Sequence, residues 1–218
     1  KSSIDAKTIK VLNPKEVVFE GGRELELDAV SEVPRYYVCN AYGVCGIYSA
    51  PGTAVKEAYD TSGIVTNDRG VTVWLKGNRV SRNQIMAIKE ESVTEQKNSL
   101  AVCLDNILRH AGITRNTEYD LAQGKTATTI LSENMTGVQV LDLSGCTLDA
   151  VLYYVNQDIP VLAILEDGEA VLVTGFNEFN VVIMEPATGK LYKKGMNDAT
   201  AWFAENGNHF ITYMRTEN

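Results

Sequence analysis

The chain has 218 residues, 44% of them hydrophobic, with 28 acidic side chains against 20 basic ones and a net charge of −8. That length buries a sizeable core in one large domain or two small ones, and the acidic balance argues against a surface built to neutralise nucleic-acid phosphates. No window of about 18 uncharged apolar residues occurs, so no helical membrane span is expected, and the start at Lys1, with neither Met nor a signal-peptide core, suggests a trimmed or mature piece of something larger.

Residues 10–12 and 16–19 read as short strands around Asn13-Pro14, and Gly21-Gly22 is a turn signal. Residues 24–30 alternate with period two, as a half-solvated strand does. A clearer hairpin follows: 36–39 and 44–48 carry aromatic and β-branched residues around a turn at Asn40-Ala41-Tyr42-Gly43. Pro51 opens a short helix through Tyr59 that Gly63 closes, and 64–66 and 71–75 form two more strands. This is a small ββαββ unit. The charged run 89–97 reads as a linker, with a boundary near Glu91, so the expected domains are 1–90 and 91–218.

The second domain opens on residues 98–112, apolar at 100, 104, 107, 108 and 111, which is the spacing of one buried helical face, with Gly112 as its stop. A helix is expected over 121–131, a loop or strand over 137–143, and a helix over 147–155 capped by Ser144 or Thr147. Three core strands come next: the apolar run 159–165, then 170–176 and 181–184 as a buried hairpin around 177–180. Pro186 and Gly189 end it in a tight turn. Residues 190–194 read as an exposed strand. Asp198 is the expected cap of a helix over 199–205 with Trp202 and Phe203 inward, Gly207 ends it, and 208–214 form the last strand. The fold class is α+β.

Few side chains offer chemistry. Cys103 and His110 lie seven residues apart on one helix, about 10.5 Å, against the ~3 Å that proton transfer needs. His209 shares an alternating strand face with Ile211 and Tyr213 and has no placed partner, so it reads as structural. Two histidines in all leave no His-rich metal constellation, and no calcium-type acidic loop is present, so no metal or cofactor is expected. Cys39 and Cys45 flank their turn symmetrically enough to bond across it, where Cβ atoms sit about 4.5 to 5.5 Å apart. With separate domains the remaining pair would be Cys103 with Cys146, while Cys103 reads equally as a buried thiol acting as a small hydrophobe. Either bond would imply an extracellular address.

Pro160-Val161, Gly168, Val171, Gly175-Phe176, Pro186 and Gly189 resemble the frame of papain-like cysteine peptidases of the C39-like group. There a Pro-Val strand precedes a Gly-His-x-Val-x-x-x-Gly-Tyr strand and one ending Asp-Pro-x-x-Gly, with His as general base and Asp orienting it. This chain has Glu169 at the histidine position and Glu185 at the aspartate position. Residues 108–112 resemble the end of the family's nucleophile helix, and counting back puts the cysteine position on Ser99. The resemblance covers about the last 120 residues, one domain's usual size.

It implies a papain-like fold behind a small N-terminal module, with the catalytic cysteine and histidine replaced. The function implied is a noncatalytic peptide- or protein-binding or scaffolding module on an extracellular bacterial protein. Its ligand groove would lie between the Ser99 helix and the Glu169 strand, with Glu185 beside it, and two carboxylates there would favour cationic peptides. The alternatives are an active peptidase captured with its nucleophile replaced by Ser99, and a structural spacer. The ββαββ unit is similar to modules that precede C39-like domains in surface proteins of Gram-positive gut bacteria, which implies the cell surface or outside.

Overall fold

Residues 9–13, 16–19, 33–77 and 98–216 are described by a computed structural model. The expected linker 89–97, the boundary near Glu91, the turn at Gly21-Gly22 and the alternating run 24–30 lie outside the described residues. Strands β1 (Ile9–Asn13) and β2 (Glu16–Phe19) form an antiparallel pair.

The ββαββ unit forms as its sequence implies. β3 (Tyr36–Cys39) and β4 (Cys45–Tyr48) are joined by a turn in which the Asn40 side chain accepts from the amides of Tyr42 and Val44, both at 3.0 Å. Helix α1 (Pro51–Thr61) follows, then β5 (Ile64–Asn67) and β6 (Thr72–Leu75), giving an antiparallel sheet of order β4-β3-β5-β6. One detail differs from expectation: the left-handed residue closing α1 is Ser62, at φ 53°, and Gly63 instead lies against the Cys39 carbonyl, where a Cβ would come within 3.0 Å.

The second half builds a six-stranded antiparallel sheet of order β11-β10-β9-β8-β12-β7. Its strands are β7 (Val138–Asp142), β8 (Val161–Ile164), β9 (Ala170–Phe176), β10 (Asn180–Met184), β11 (Leu191–Gly195) and β12 (His209–Arg215). β9 is buried along its whole length, in keeping with its apolar composition, and its one polar side chain, Thr174, donates to Val182 O at 3.4 Å. Helix α2 (Ser99–His110) packs on β9 through Cys103, Leu104, Ile107 and Leu108, all fully buried. The expected single helix over 121–131 is two, α3 (Glu118–Ala122) and α4 (Ala127–Asn134). Gly124 breaks it by taking φ +80°, where a Cβ is strained, and Thr126 restarts the chain by capping Thr129.

Helix α5 (Leu148–Val155) is capped by Thr147 rather than Ser144. Helix α6 (Met196–Glu205) starts earlier than expected and does not use Asp198 as its cap. β11 runs straight into it, Gly195 is the cap residue, and the Met196 amide donates to Phe179 O at 2.7 Å, which leaves Asp198 in the first turn. Phe203 is buried as expected, whereas Trp202 is only half-buried, with the Lys194 ammonium over its ring at 5.2 Å from the centroid.

The two halves keep separate sheets but share one continuous core. Polar groups at the seam find partners across it. Trp74 Nε1 donates to Ala150 O at 3.0 Å, the Tyr154 hydroxyl donates to Val73 O at 3.1 Å, and buried Asn67 donates to Gln139 Oε1, whose amide donates to the Tyr36 hydroxyl. At Gly52 of α1 the backbone of residues 142–144 comes so close that a Cβ would meet Ser144 O at 2.9 Å.

Candidate functional site

The start of α2 is where the resemblance places the nucleophile, and the side-chain oxygens of Asn98 and Ser99 there both accept from backbone amides. Asn98 caps the helix, its side chain accepting from the amides of Leu100 at 2.9 Å and Ala101 at 3.3 Å, so two of the orphan N–H groups of the first turn are filled from within. Ser99 Oγ accepts from the Ala170 amide at 2.9 Å. The reason is topological. The β10 ladder ends at the Met184–Leu172 pair, two residues short of Ala170, and the Ser99 hydroxyl supplies the acceptor that strand no longer offers.

Glu169 immediately precedes that amide. It lies exposed on the turn that joins β8 to β9, where its own amide donates to Asp167 Oδ1 at 3.0 Å and Leu165 N donates to its carbonyl at 2.8 Å. Ser99 therefore meets the Glu169–Ala170 peptide through the backbone. Glu185 is held differently. Its carboxylate accepts from the Thr188 hydroxyl at 2.8 Å inside the turn after β10, and, after burial, its charge raises the Tyr192 pKa.

Neither imidazole reaches Ser99. His110 stands eleven residues along α2, roughly 16 Å away at 1.5 Å per residue, and its Nε2 donates to Asp158 O at 2.8 Å. His209 pairs with Ile164, which pairs with Ala170, so it lies two strands off, about 10 Å across the sheet. Proton transfer needs heavy atoms about 3 Å apart. The rejection of a Cys103–His110 dyad stands on the same geometry.

The cysteines divide. Cys39 and Cys45 form a disulfide between directly paired positions of β3 and β4, with Cα atoms 4.1 Å apart. The expected Cys103–Cys146 bond is absent: both thiols are free and buried. Cys146 turns toward α1, where its Sγ donates to Gly52 O at 3.3 Å, while Cys103 lies under α2. Burial pushes the Cys146 thiol up to about 12, and burial followed by the Glu169 charge holds Cys103 protonated. A free thiol thus does sit one turn from Ser99, but in a setting that disfavours the thiolate a nucleophile needs. Among the described residues no group of three or more His, Cys, Asp or Glu side chains could hold a metal ion.

Sequence reasoning did not find a pocket of about 420 Å³ at the opposite end of α2, among residues that follow α2 and α4 and the end of β12. The signal available for it was the β12 alternation that places Tyr213 and Arg215 on one side. A smaller pocket of about 130 Å³ lies on the seam between Tyr59, Trp74 and Tyr153.

No family model matches the sequence, and no curated protein matches it. Solved structures do. One, described as a C39-like peptidase from Bacillus anthracis, is 13% identical with a TM-score of 0.52, over 65% of this chain and 100% of that one. Another, a double glycine motif protease from an AMS/PCAT transporter in complex with the leader peptide, is 16% identical with a TM-score of 0.40, over 64% of this chain and 97% of that one. At such identity the likeness speaks to architecture, and the chain carries, in addition to its ββαββ unit, the α+β fold of the C39-like peptidases.

Proposed function

We propose that the chain is a noncatalytic peptide- or protein-binding or scaffolding module built on a C39-like peptidase fold. One observation carries the reading: the hydroxyl at the start of α2 is spent as a backbone acceptor for Ala170, with a carboxylate rather than an imidazole beside it and both histidines elsewhere. Acyl transfer by a cysteine peptidase needs a thiolate, an imidazole that carries its proton to the leaving amine, and donors for the oxyanion. A carboxylate with a pKa near ~4 is a poor base for an alcohol, and its acid form is scarce at neutral pH when the amine must be protonated.

The ligand would be an extended, cationic peptide segment, drawn by Glu169 and Glu185 to the surface between α2 and the β9–β10 end. A chain engineered at its nucleophile alone would keep its histidine. The second replacement, at Glu169, therefore favours natural loss of activity over capture of an active enzyme. The exposed Cys39–Cys45 bond supports an extracellular setting, since such bonds persist outside the reducing cytosol. The domain division at Glu91 belongs to the same reading.

The test is turnover. Wild-type protein is expected to leave casein and Gly-Gly peptides intact with or without iodoacetamide, and Ser99→Cys with Glu169→His together is expected to yield detectable cleavage. Thiol-dependent hydrolysis by the wild type, abolished by Cys103→Ala, would overturn the reading and put the nucleophile on the wrong side of the first turn.

A further inference from the structure

The pocket at the far end of α2 has a construction of its own. Helices α2 and α4 cover one face of the sheet and both stop short of its edge, α2 at His110 and α4 at Asn134. Beyond their ends the chain leaves about 420 Å³ open against the last residues of β12 and the start of β7. That volume falls within the range of small-molecule sites, about 300 to 1,000 Å³. Ile113, Met135 and Val138 give it apolar walls, and His110, Tyr213 and Arg215 give it polar ones.

Tyr213 is the informative residue. It is only 2% exposed, yet its hydroxyl has no hydrogen-bond partner among the described residues. Every fully enclosed side-chain nitrogen or oxygen among those residues has a partner, so the Tyr213 hydroxyl reaches the pocket's free volume. Burial raises its pKa, so it stands as a protonated donor. Arg215 lies two residues on, on the same face of β12 and about 7 Å along the strand, close enough for its charge to act on the Tyr213 phenol. Arg215 itself is exposed and forms no ion pair among the described residues. The pocket thus sets a guanidinium and a phenol, neither with a partner among the described residues, beside apolar walls.

The Arg215 guanidinium among its lining residues makes this a poor cation site. Several carbonyls of the last turns of α2 and α4 are already taken: Ala111 N donates to Ile107 O, Gly112 N to Arg109 O, Ile113 N to Leu108 O, and Met135 N to Leu131 O. The side chains offer donor capacity, a planar fork suited to a carboxylate and a phenol beside it.

We propose that this pocket binds a carboxylate attached to a small apolar body, with Arg215 and Tyr213 donating to the carboxylate and Ile113, Met135 and Val138 packing on the body. A free organic acid and the C-terminal residue of a peptide share that chemistry. The site is independent of the surface at Ser99.

The experiment uses the whole chain and amide NMR titration with 4-phenylbutyrate, its uncharged amide 4-phenylbutyramide, and the peptide Ala-Ala-Ala-Phe as free acid and as C-terminal amide. Saturable shifts confined to residues around 111–113 and 136–138 are expected with 4-phenylbutyrate and not with its amide. Arg215→Ala is expected to weaken binding by at least about tenfold and Tyr213→Phe by about threefold or more, in keeping with loss of charge-assisted and neutral donors respectively. Tyr213→Phe keeps the ring, so its fold is secure even if Arg215→Ala is perturbed. Binding of the free-acid peptide at the same amides assigns a chain terminus as a source, and binding of phenylbutyrate alone assigns a free acid. Equal binding of acid and amide, affinity indifferent to both substitutions, or no saturable shift up to about 10 mM, a standard free energy weaker than ~3 kcal/mol, would overturn the proposal.

Discussion

The two ends of α2 are built on opposite principles. At its start the side-chain acceptors are answered from within the chain: Asn98 takes the amides of Leu100 and Ala101, and Ser99 takes the amide of Ala170. At its far end a buried phenol and an arginine face a pocket of about 420 Å³ with no partner among the described residues. The end that inherits the position of a peptidase nucleophile is thus the closed one, and donor capacity collects at the other. A fold can keep its frame while the groups free to meet a ligand move elsewhere, because satisfaction of hydrogen bonds is local and does not follow the sheet order.

The sharpest contrast is chemical. Cys103, one turn from Ser99, and Cys146 are buried with raised pKa values, so the thiolate fraction at pH 8 is suppressed. Native protein is expected to take up no iodoacetamide, and unfolded protein without reductant two equivalents, which mass spectrometry counts directly. A native adduct on Cys103 would open the end described here as closed. Next in size is Leu104→Ala, in the fully buried middle of the helix that both ends share. It should cost about 2–5 kcal/mol in urea unfolding, and a loss under ~1 kcal/mol would show that the two ends are not set on one rigid core element.

Ser99→Ala leaves the Ala170 amide without its acceptor and should cost about 1–3 kcal/mol. Full stability in that variant would remove the structural role assigned to the hydroxyl. A smaller effect concerns the corner between α3 and α4, whose chain leads through Met135 to the pocket. Hydrogen bonding from Lys125 at 3.1 Å, with further attraction from Lys125 and Arg115, lowers the Asp120 pKa. A lowered folded-state value contributes stability that is present above the unfolded value near ~4 and lost as pH falls through the folded one. Amides of residues 115–126 should therefore shift in acid below that value, before those at the start of α2, and the reverse order would contradict it. The smallest effect is that of Tyr213→Phe on stability, within about 0.5 kcal/mol, because no bond is lost. A cost as large as that of Ser99→Ala would mean the two ends do not differ.

Much of the architecture was legible in residues taken singly. The apolar run 170–176 announced a strand buried on both faces, and the 100, 104, 107, 108 spacing announced the helix that packs on it. The Asn40 to Gly43 turn and the pair Cys39 and Cys45 were readable because their partners lie within six residues. Where reading failed, a distant contact had decided. The start of α6 depends on Phe179 O, the fate of Cys146 depends on Gly52, and the break at Gly124 depends on a backbone angle that the surrounding helical pattern concealed. At the candidate site the meeting of Ser99 with the 169–170 segment was legible through the resemblance, while the identity of the bond, hydroxyl to backbone amide rather than hydroxyl to carboxylate, was not.

By itself the sequence determined the element types and the absence of an imidazole at either family position, since periodicity, turn residues and composition are properties of neighbouring residues and of the count of histidines. Tertiary structure alone decided that the ββαββ unit shares a core with the rest through Trp74, Tyr154 and Gln139, that Ser99 serves a strand amide, and that Tyr213 and Arg215 open on a pocket. The physical reason is the same in each case. A hydrogen-bonding group is satisfied by whatever the fold brings within about 3 Å, and the partners of Ser99, Trp74 and Gln139 lie some 70 to 100 residues away along the chain.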